Sequence, residues 1–380
     1  MGRLHSLDGL RGLAALLVFF HHILLTVPLL AEPYLGKRAT EALPYALSYT
    51  PLHIFWEGQA AVYVFFVLSG VVLTLPVLKR GREFSWTAYY PQRLLRLYIP
   101  VWAAVVIGIG WLLLVPRNAD SESMWLQSRA VDPSLPAVLK DLTLLFGHGG
   151  IVSPLWSLRW EIWFSLLLPV FTLLAIRLMR FRWLIAAVSI TATTVGSSIG
   201  SSPLKYPPMF MLGAVMATAL SKLTATDHRT GNGRGAALVL RAVFLLLSPW
   251  LIRNYPNLDF LVDPLEGVAA IGALLAVYCA LAVPFARKFL ETKIMLWFGM
   301  ISFSLYLVHE PVVITSARIF GDQNLVLAAL VAICVAIPLA FAFYRLVEVP
   351  SHRLARLAGD GLRTRFKKKP NNDVATPAAT

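Results

Sequence analysis

Charge is what this sequence has least of. Only 14% of its 380 residues are Asp, Glu, Lys or Arg, where soluble domains carry about a quarter. With a mean hydropathy of +0.67, that leaves too little polar surface to cover a soluble globule. Acidic residues are the scarcer sign, 20 against 34 basic. The resulting excess does not point to nucleic acid, because the basic residues sit at the ends of apolar runs and in the C-terminal tail, where they report membrane topology. Cysteine is nearly absent. Cys279 and Cys334 both fall inside apolar runs, which reads as packing and offers neither a disulfide framework nor a metal site. No internal repeat is visible. Only a short polar stub precedes the first apolar run, so no separate cleavable signal is expected there. Met1, Gly2 and Ser6 fit the myristoylation pattern. So short a match arises often by chance, and a chain with many spans needs no lipid anchor.

What is present is a series of apolar runs near the ~20 residues an α-helix needs to cross ~30 Å of hydrocarbon. Backbone polar groups in lipid must be satisfied internally, so the spans are helices or a closed barrel. Barrel strands would alternate over about ten residues, and these runs are longer and uniformly apolar. The expected fold is therefore all-α and polytopic, with about ten spans at roughly 8–30, 58–78, 97–116, 153–176, 183–200, 206–221, 236–252, 265–284, 295–318 and 324–346. Pro203, Pro207 and Pro208 interrupt the fifth and sixth. With the N-terminus inside, 22 of the 34 Lys and Arg fall in inside segments and 7 in outside loops, which places both termini in the cytoplasm. Residues 1–350 form the transmembrane domain. Residues 351–380 are a basic cytoplasmic tail, polar and small-residue rich beyond Pro370, and expected to be disordered.

Ionisable residues inside a membrane are costly unless paired or hydrated, so each is a functional candidate. The first span carries Asp8, Arg11, His21 and His22. Arg11 and His22 are almost three helical turns apart and share a face, with the imidazole about 16 Å deeper, while His21 points about 100° away. Arg11 alone also suits an ordinary flanking cation. The fourth span carries Trp156, Ser157, Arg159, Glu161 and Trp163. Entering from outside, it would put Glu161 near the depth of His22, where a carboxylate could fix the imidazole tautomer. A private Arg159–Glu161 ion pair is the competing reading. In the ninth span, Ser302, Tyr306 and His309 form a polar stripe at spacings of four and three. Such a stripe lines a cavity or bonds a neighbouring helix. The second span holds Phe65, Phe66, Ser69 and Gly70, where a small pair admits another backbone or a thin ligand. Arg93 and Arg96, before the third span, lie on one face. Their forks suit phosphate oxygens, although positive-inside flanking gives the same pattern.

These residues together resemble the membrane-bound acyltransferase-3 family of bacterial O-acyltransferases, which includes O-antigen and exopolysaccharide acetylases and macrolide acylases. Ser6-Leu7-Asp8-Gly9-Leu10-Arg11-Gly12 followed by His22 looks like the family's arginine–ten residues–histidine signature. Phe65-Phe66-x-x-Ser69-Gly70, Arg93-x-x-Arg96, Trp156-Ser157-Leu158 with Glu161, Ser302-x-Ser304-x-Tyr306-x-x-His309 and Glu348-x-Pro350 resemble its other blocks, in order from Ser6 to Pro350. The resemblance implies ten helices in a bacterial cell membrane, acyl-CoA (acetyl-CoA by expectation) as co-substrate with no permanently bound cofactor, and transfer to a hydroxyl of a sugar, polysaccharide or macrolide-like acceptor. It also implies an essential first-helix histidine. On this reading Arg93, Arg96, Ser69 and Gly70 bind the donor. His22 is the general base, or a nucleophile, with Glu161 orienting it and Arg11 assisting on the donor side. Trp156, Ser157, Tyr306 and His309 belong to the cavity or acceptor site. Many relatives carry an extra extracytoplasmic hydrolase-like domain, which is not expected here. A transporter or flippase of lipid-linked or small polar molecules would use the same intramembrane charges.

Overall fold

The structure is a computed structural model that describes residues 4–115, 123–129, 134–226, 232–320 and 324–367. Among these residues every regular element is helical. The principal helices are α1 (His5–Leu25), α2 (Gly58–Arg80), α3 (Trp86–Leu114), α4 (Leu155–Leu166), α5 (Leu168–Arg177), α6 (Arg182–Ser198), α7 (Pro207–Thr226), α8 (Asn232–Ile252), α9 (Val262–Ala282), α10 (Lys293–Phe320), α11 (Leu325–Phe343) and α12 (Val349–Lys367). Several starts are capped by the sequence itself. Glu57 accepts the Ala60 N–H ahead of α2, and Asn324 accepts the Leu327 N–H ahead of α11, each satisfying an orphan donor of the first turn.

The polytopic all-α architecture holds. By length and apolar content, seven helical stretches among the described residues can cross a membrane, or eight if the bent pair α4 and α5 is one span. The ten expected spans therefore include two helices outside that set. One is α6, which has only 17 residues, and the other is α7. The 62° bend between α4 and α5 falls where Pro169 enters the first turn of α5, a position proline tolerates at a helix start but not in an interior.

The tail expectation needs correction. Residues 351–367 are not an irregular tail but most of α12, which follows α11 through a π-helical turn at Tyr344–Glu348. Ser351, Ala355 and Gly359 recur every fourth residue and are buried. Gly359 meets Gln92 of α3 so closely that a Cβ would lie 1.9 Å from its amide nitrogen. A polar helix with one small-residue stripe docks onto a neighbour, although its average composition reads as a solvated tail. Residues 368–380 lie outside the described set.

The pair that positions the functional side chains is α1 and α10. They run parallel and in close contact, because glycine faces backbone at their crossing. A Cβ on Gly12 would stand 2.5 Å from the Gly299 nitrogen, and one on Gly299 would stand 2.2 Å from the Asp8 carbonyl oxygen. Leu7, Leu10, Ala14, Val18 and Leu25 are buried at helical spacing along α1. The α10 residues from Ser302 to Glu310 are almost entirely buried.

Candidate active site

An open cavity lies among α1, α2, α3, α4, α10 and the π-helical turn. Arg11, Ser69, Arg93, Arg96, Ser157, Glu161 and Tyr306 all line it, joined by Glu348 and His352. Seven candidates from five separate sequence blocks thus meet around one space. Nothing in their spacing along the chain required this.

The charged part of the cavity is differentiated. Arg93 is engaged: its guanidinium pairs with Glu161, and its Nε–H donates to Ser165 Oγ at 3.0 Å. Arg96 makes no ion pair within 4 Å among the described residues and stands with Arg11 near Glu348. Glu348 is buried, accepts from the Ser304 hydroxyl at 2.6 Å and has His352 Nε2 at 3.7 Å. The available cationic surface is therefore that of Arg11 and Arg96.

Above the charged groups the cavity turns hydroxylic and aromatic. Ser157 Oγ and the Tyr306 hydroxyl are 2.6 Å apart, and both bond the Pro154 carbonyl, at 3.1 and 3.2 Å. Phe65 meets Tyr306 edge to face. One turn further along α10, His309 leaves the cavity wall and contacts His22. His22 Nδ1 and His309 Nε2 are 2.7 Å apart with nearly parallel rings, and His309 Nδ1 lies 2.8 Å from the Leu305 carbonyl. A carbonyl only accepts, so the proton of a neutral His309 is on Nδ1 and its Nε2 is an acceptor. The proton between the rings then belongs to His22 Nδ1, and His22 Nε2 carries the free lone pair. The tautomer of a base is set by the bond its other nitrogen makes, and here that bond is to a second histidine.

Glu161 is not the orienting group expected for His22. The cause is the depth of α4. Its entry is already level with Glu310, whose Oε2 accepts the Ser153 N–H at 2.7 Å. Ser157 comes next, at Tyr306, and Glu161 one turn on, at Arg93. The competing Arg159–Glu161 pair does not form either; Arg159 lies over the Trp160 ring. Gly70 lies outside the cavity lining. It packs backbone to backbone against α7, where a Cβ would be 2.2 Å from the Phe210 carbonyl oxygen. Trp156 packs against Phe66 and Tyr206 and also lies outside that lining. His21 is turned away from His22's partner as its register required. It is buried and donates from Nδ1 to the Trp56 carbonyl at 2.8 Å.

Of three further residues near His22, Trp125 and Arg129 are not site candidates in the sequence, and Glu310 is one only as an intramembrane charge of the ninth span. Trp125 stacks on the His22 ring with centroids 5.4 Å apart, Arg129 lies over the Trp125 ring at 5.2 Å, and Glu310 approaches Arg129. Trp125 and Arg129 sit in or beside the four-residue helix Met124–Gln127, which is too short to leave a periodic signal. Glu310 had one available signal, a carboxylate inside an apolar run immediately after His309. The approach to α4 is held by Asp141, whose carboxylate accepts the N–H groups of Gly149 and Ile151.

A family model described as an acyltransferase domain, that of acyltransferase-3, matches residues 4–345. The chain is 28% identical to the acyltransferase MdmB of Streptomyces mycarofaciens, over 93% of this chain and 92% of that protein. It is 23% identical to the putative peptidoglycan O-acetyltransferase YrhL of Bacillus subtilis (strain 168), over 91% of this chain but only 54% of that longer protein. No solved structure matches it significantly.

Proposed function

The chain belongs to the acyltransferase-3 family, and from that premise we propose that it is an acyl-CoA-dependent O-acyltransferase of a bacterial cell membrane, with His22 as general base. One observation carries the reading. A single cavity runs from the guanidinium groups of Arg11 and Arg96, which make no ion pair among the described residues, to the Tyr306 and Ser157 hydroxyls, and the same α10 stripe continues to the His309–His22 pair.

Arg96 and Arg11 bind the CoA phosphates, and the pair of Arg93 with Glu161 fixes the wall beside them. Charge-assisted bonds from guanidinium forks suit phosphate oxygens. The uncharged pantetheine arm lies along Ser69 of α2 and brings the thioester toward Tyr306. His22 Nε2 takes the proton of an acceptor hydroxyl as its oxygen attacks the thioester carbonyl. The C–S bond breaks, an ester forms, and the proton passes from Nε2 to the departing thiolate, giving free CoA. His309 steadies the imidazolium formed between these steps by accepting from Nδ1. The acceptor is a carbohydrate, polysaccharide or macrolide-like molecule.

The test is release of free CoA from acetyl-CoA by the purified protein, with acceptor candidates followed by the mass of an added acetyl group. A transporter or flippase releases no CoA. Absence of CoA release from folded, inserted protein, with every acceptor tried, would sink the enzymatic reading.

A further inference from the structure

Between His22 and the rim of the bundle lies a group of buried polar atoms that the donor cavity does not use. Glu310 is fully buried. Among the described residues, its Oε2 is satisfied by the Ser153 N–H, but its Oε1 has no hydrogen-bond partner. Among the same residues Arg129 Nε is also buried and unbonded, and it stands 3.8 Å from Glu310 Oε1. Trp125 is 1% exposed, its Nε1–H has no partner among them, and its ring is stacked on His22. Unsatisfied buried groups are rare in folded proteins and costly. Three of them on neighbouring side chains, one in ring contact with His22, make a buried polar cluster whose bonds the described residues leave unmade.

The separation identifies the occupant's chemistry. At 3.8 Å the carboxylate and the guanidinium are too far apart to bond directly. An oxygen about 2.8 Å from each closes the triangle. That oxygen must accept from Arg129 Nε–H and donate to Glu310 Oε1, as a hydroxyl does. Ionised carboxylates and phosphates have no proton to give Glu310, and an ammonium would meet the Arg129 charge with nothing to accept from it.

We propose that Glu310, Arg129 and Trp125 form an acceptor subsite for polyhydroxyl compounds, binding a neutral hydroxyl that flanks the one presented to His22. The assignment rests on the acyltransferase reading above. It predicts selection for acceptors with a second hydroxyl near the reacting one.

The test uses full-length protein in lipid nanodiscs, free of sugar detergents, with methyl β-D-glucopyranoside as the probe and saturation-transfer NMR as the readout. Glu310→Gln is informative because the amide carbonyl can keep the Ser153 bond while its NH₂ replaces the acceptor oxygen. Trp125→Phe keeps a ring on His22 and removes only the N–H. Both variants should weaken probe binding about tenfold, the loss expected for one hydrogen bond to a charged or buried partner. Acetyl-CoA binding and monodisperse elution report that the variants are folded. Equal binding of the probe by wild type and both variants would overturn the subsite, as would no binding by wild type, which would leave only a hydrated ion pair. CoA release from the same preparations reads the reaction separately. Probe binding without CoA release would strike the chemistry at His22 and still support the polyol site. CoA release without probe binding would overturn the site alone.

Discussion

His22 and His21 are adjacent in sequence and opposite in task. His22 has one nitrogen committed to His309 and the other free, while His21 is buried and spends its Nδ1–H on the Trp56 carbonyl. His22→Ala should abolish CoA release with the protein still inserted. His21→Ala should lower thermal stability and leave substantial activity, because it removes packing and one hydrogen bond rather than the base. Equal loss of turnover in two equally stable variants would contradict the division. His309 acts through His22. His309→Ala should reduce kcat about a hundredfold, the scale on which outer-shell partners of functional histidines matter, and move the pH profile of kcat. His309→Gln, which can still accept from His22 Nδ1, should recover part of both. A change in KM for acyl-CoA alone would argue against the orienting role. The two arginines also separate. Arg96→Ala should weaken acyl-CoA binding by about 1.5–3 kcal/mol, one charge-assisted contact. Arg93→Ala should instead destabilise the protein, since Glu161 then loses its ion-pair partner. Titration of acyl-CoA binding beside thermal melts tells the two apart.

At the scale of the element, the crossings of α1 with α10 and of α2 with α7 rest on glycine. At the second, Gly70 and Gly213 face each other, and a Cβ on Gly213 would be 2.0 Å from the Val67 carbonyl oxygen. Backbone cannot yield as a side-chain tip can, so Gly70→Ala should cost about 1–3 kcal/mol through overpacking, read as a lower melting temperature. If Gly70 instead lined the donor path, the variant would melt normally and lose affinity for acyl-CoA. The docked α12 belongs to this scale too, since the turn preceding it delivers Glu348, and its own first turn delivers His352, to the cavity.

Across the whole molecule, the Arg11–Arg96 region and His22 lie toward opposite ends of α1, about 16 Å apart along its axis. We expect the donor to enter from the cytoplasm and the acceptor from the other face, because only the uncharged arm of CoA is suited to a helix bundle. In sealed vesicles of known orientation, product should form with acyl-CoA on the arginine side and acceptor on the other. Product formed only when both share the arginine side would refute that arrangement while leaving the donor site intact.

The sequence by itself determined the polytopic helical class, because apolar run length and scarcity of charge are properties of composition that lipid enforces on any arrangement. It also marked most of the residues that meet in the cavity, since an intramembrane charge or polar stripe stands out against apolar neighbours. Which of them pair was decided by tertiary structure. Glu161 went to Arg93 rather than His22 because α4 starts deep, beside Glu310, and a short helix entering at that level carries Glu161 past the histidine. His309 took the orienting place because glycine lets α1 and α10 run close and parallel, which fixes their axial register. Trp125 and Arg129 had no periodicity to reveal them. Their position beside His22 exists only because the chain folds back over the end of α1, where Ser123 Oγ donates to the Leu25 carbonyl. Helical period and hydrophobicity are local properties, whereas the depth at which one helix meets another depends on contacts between segments distant in the chain.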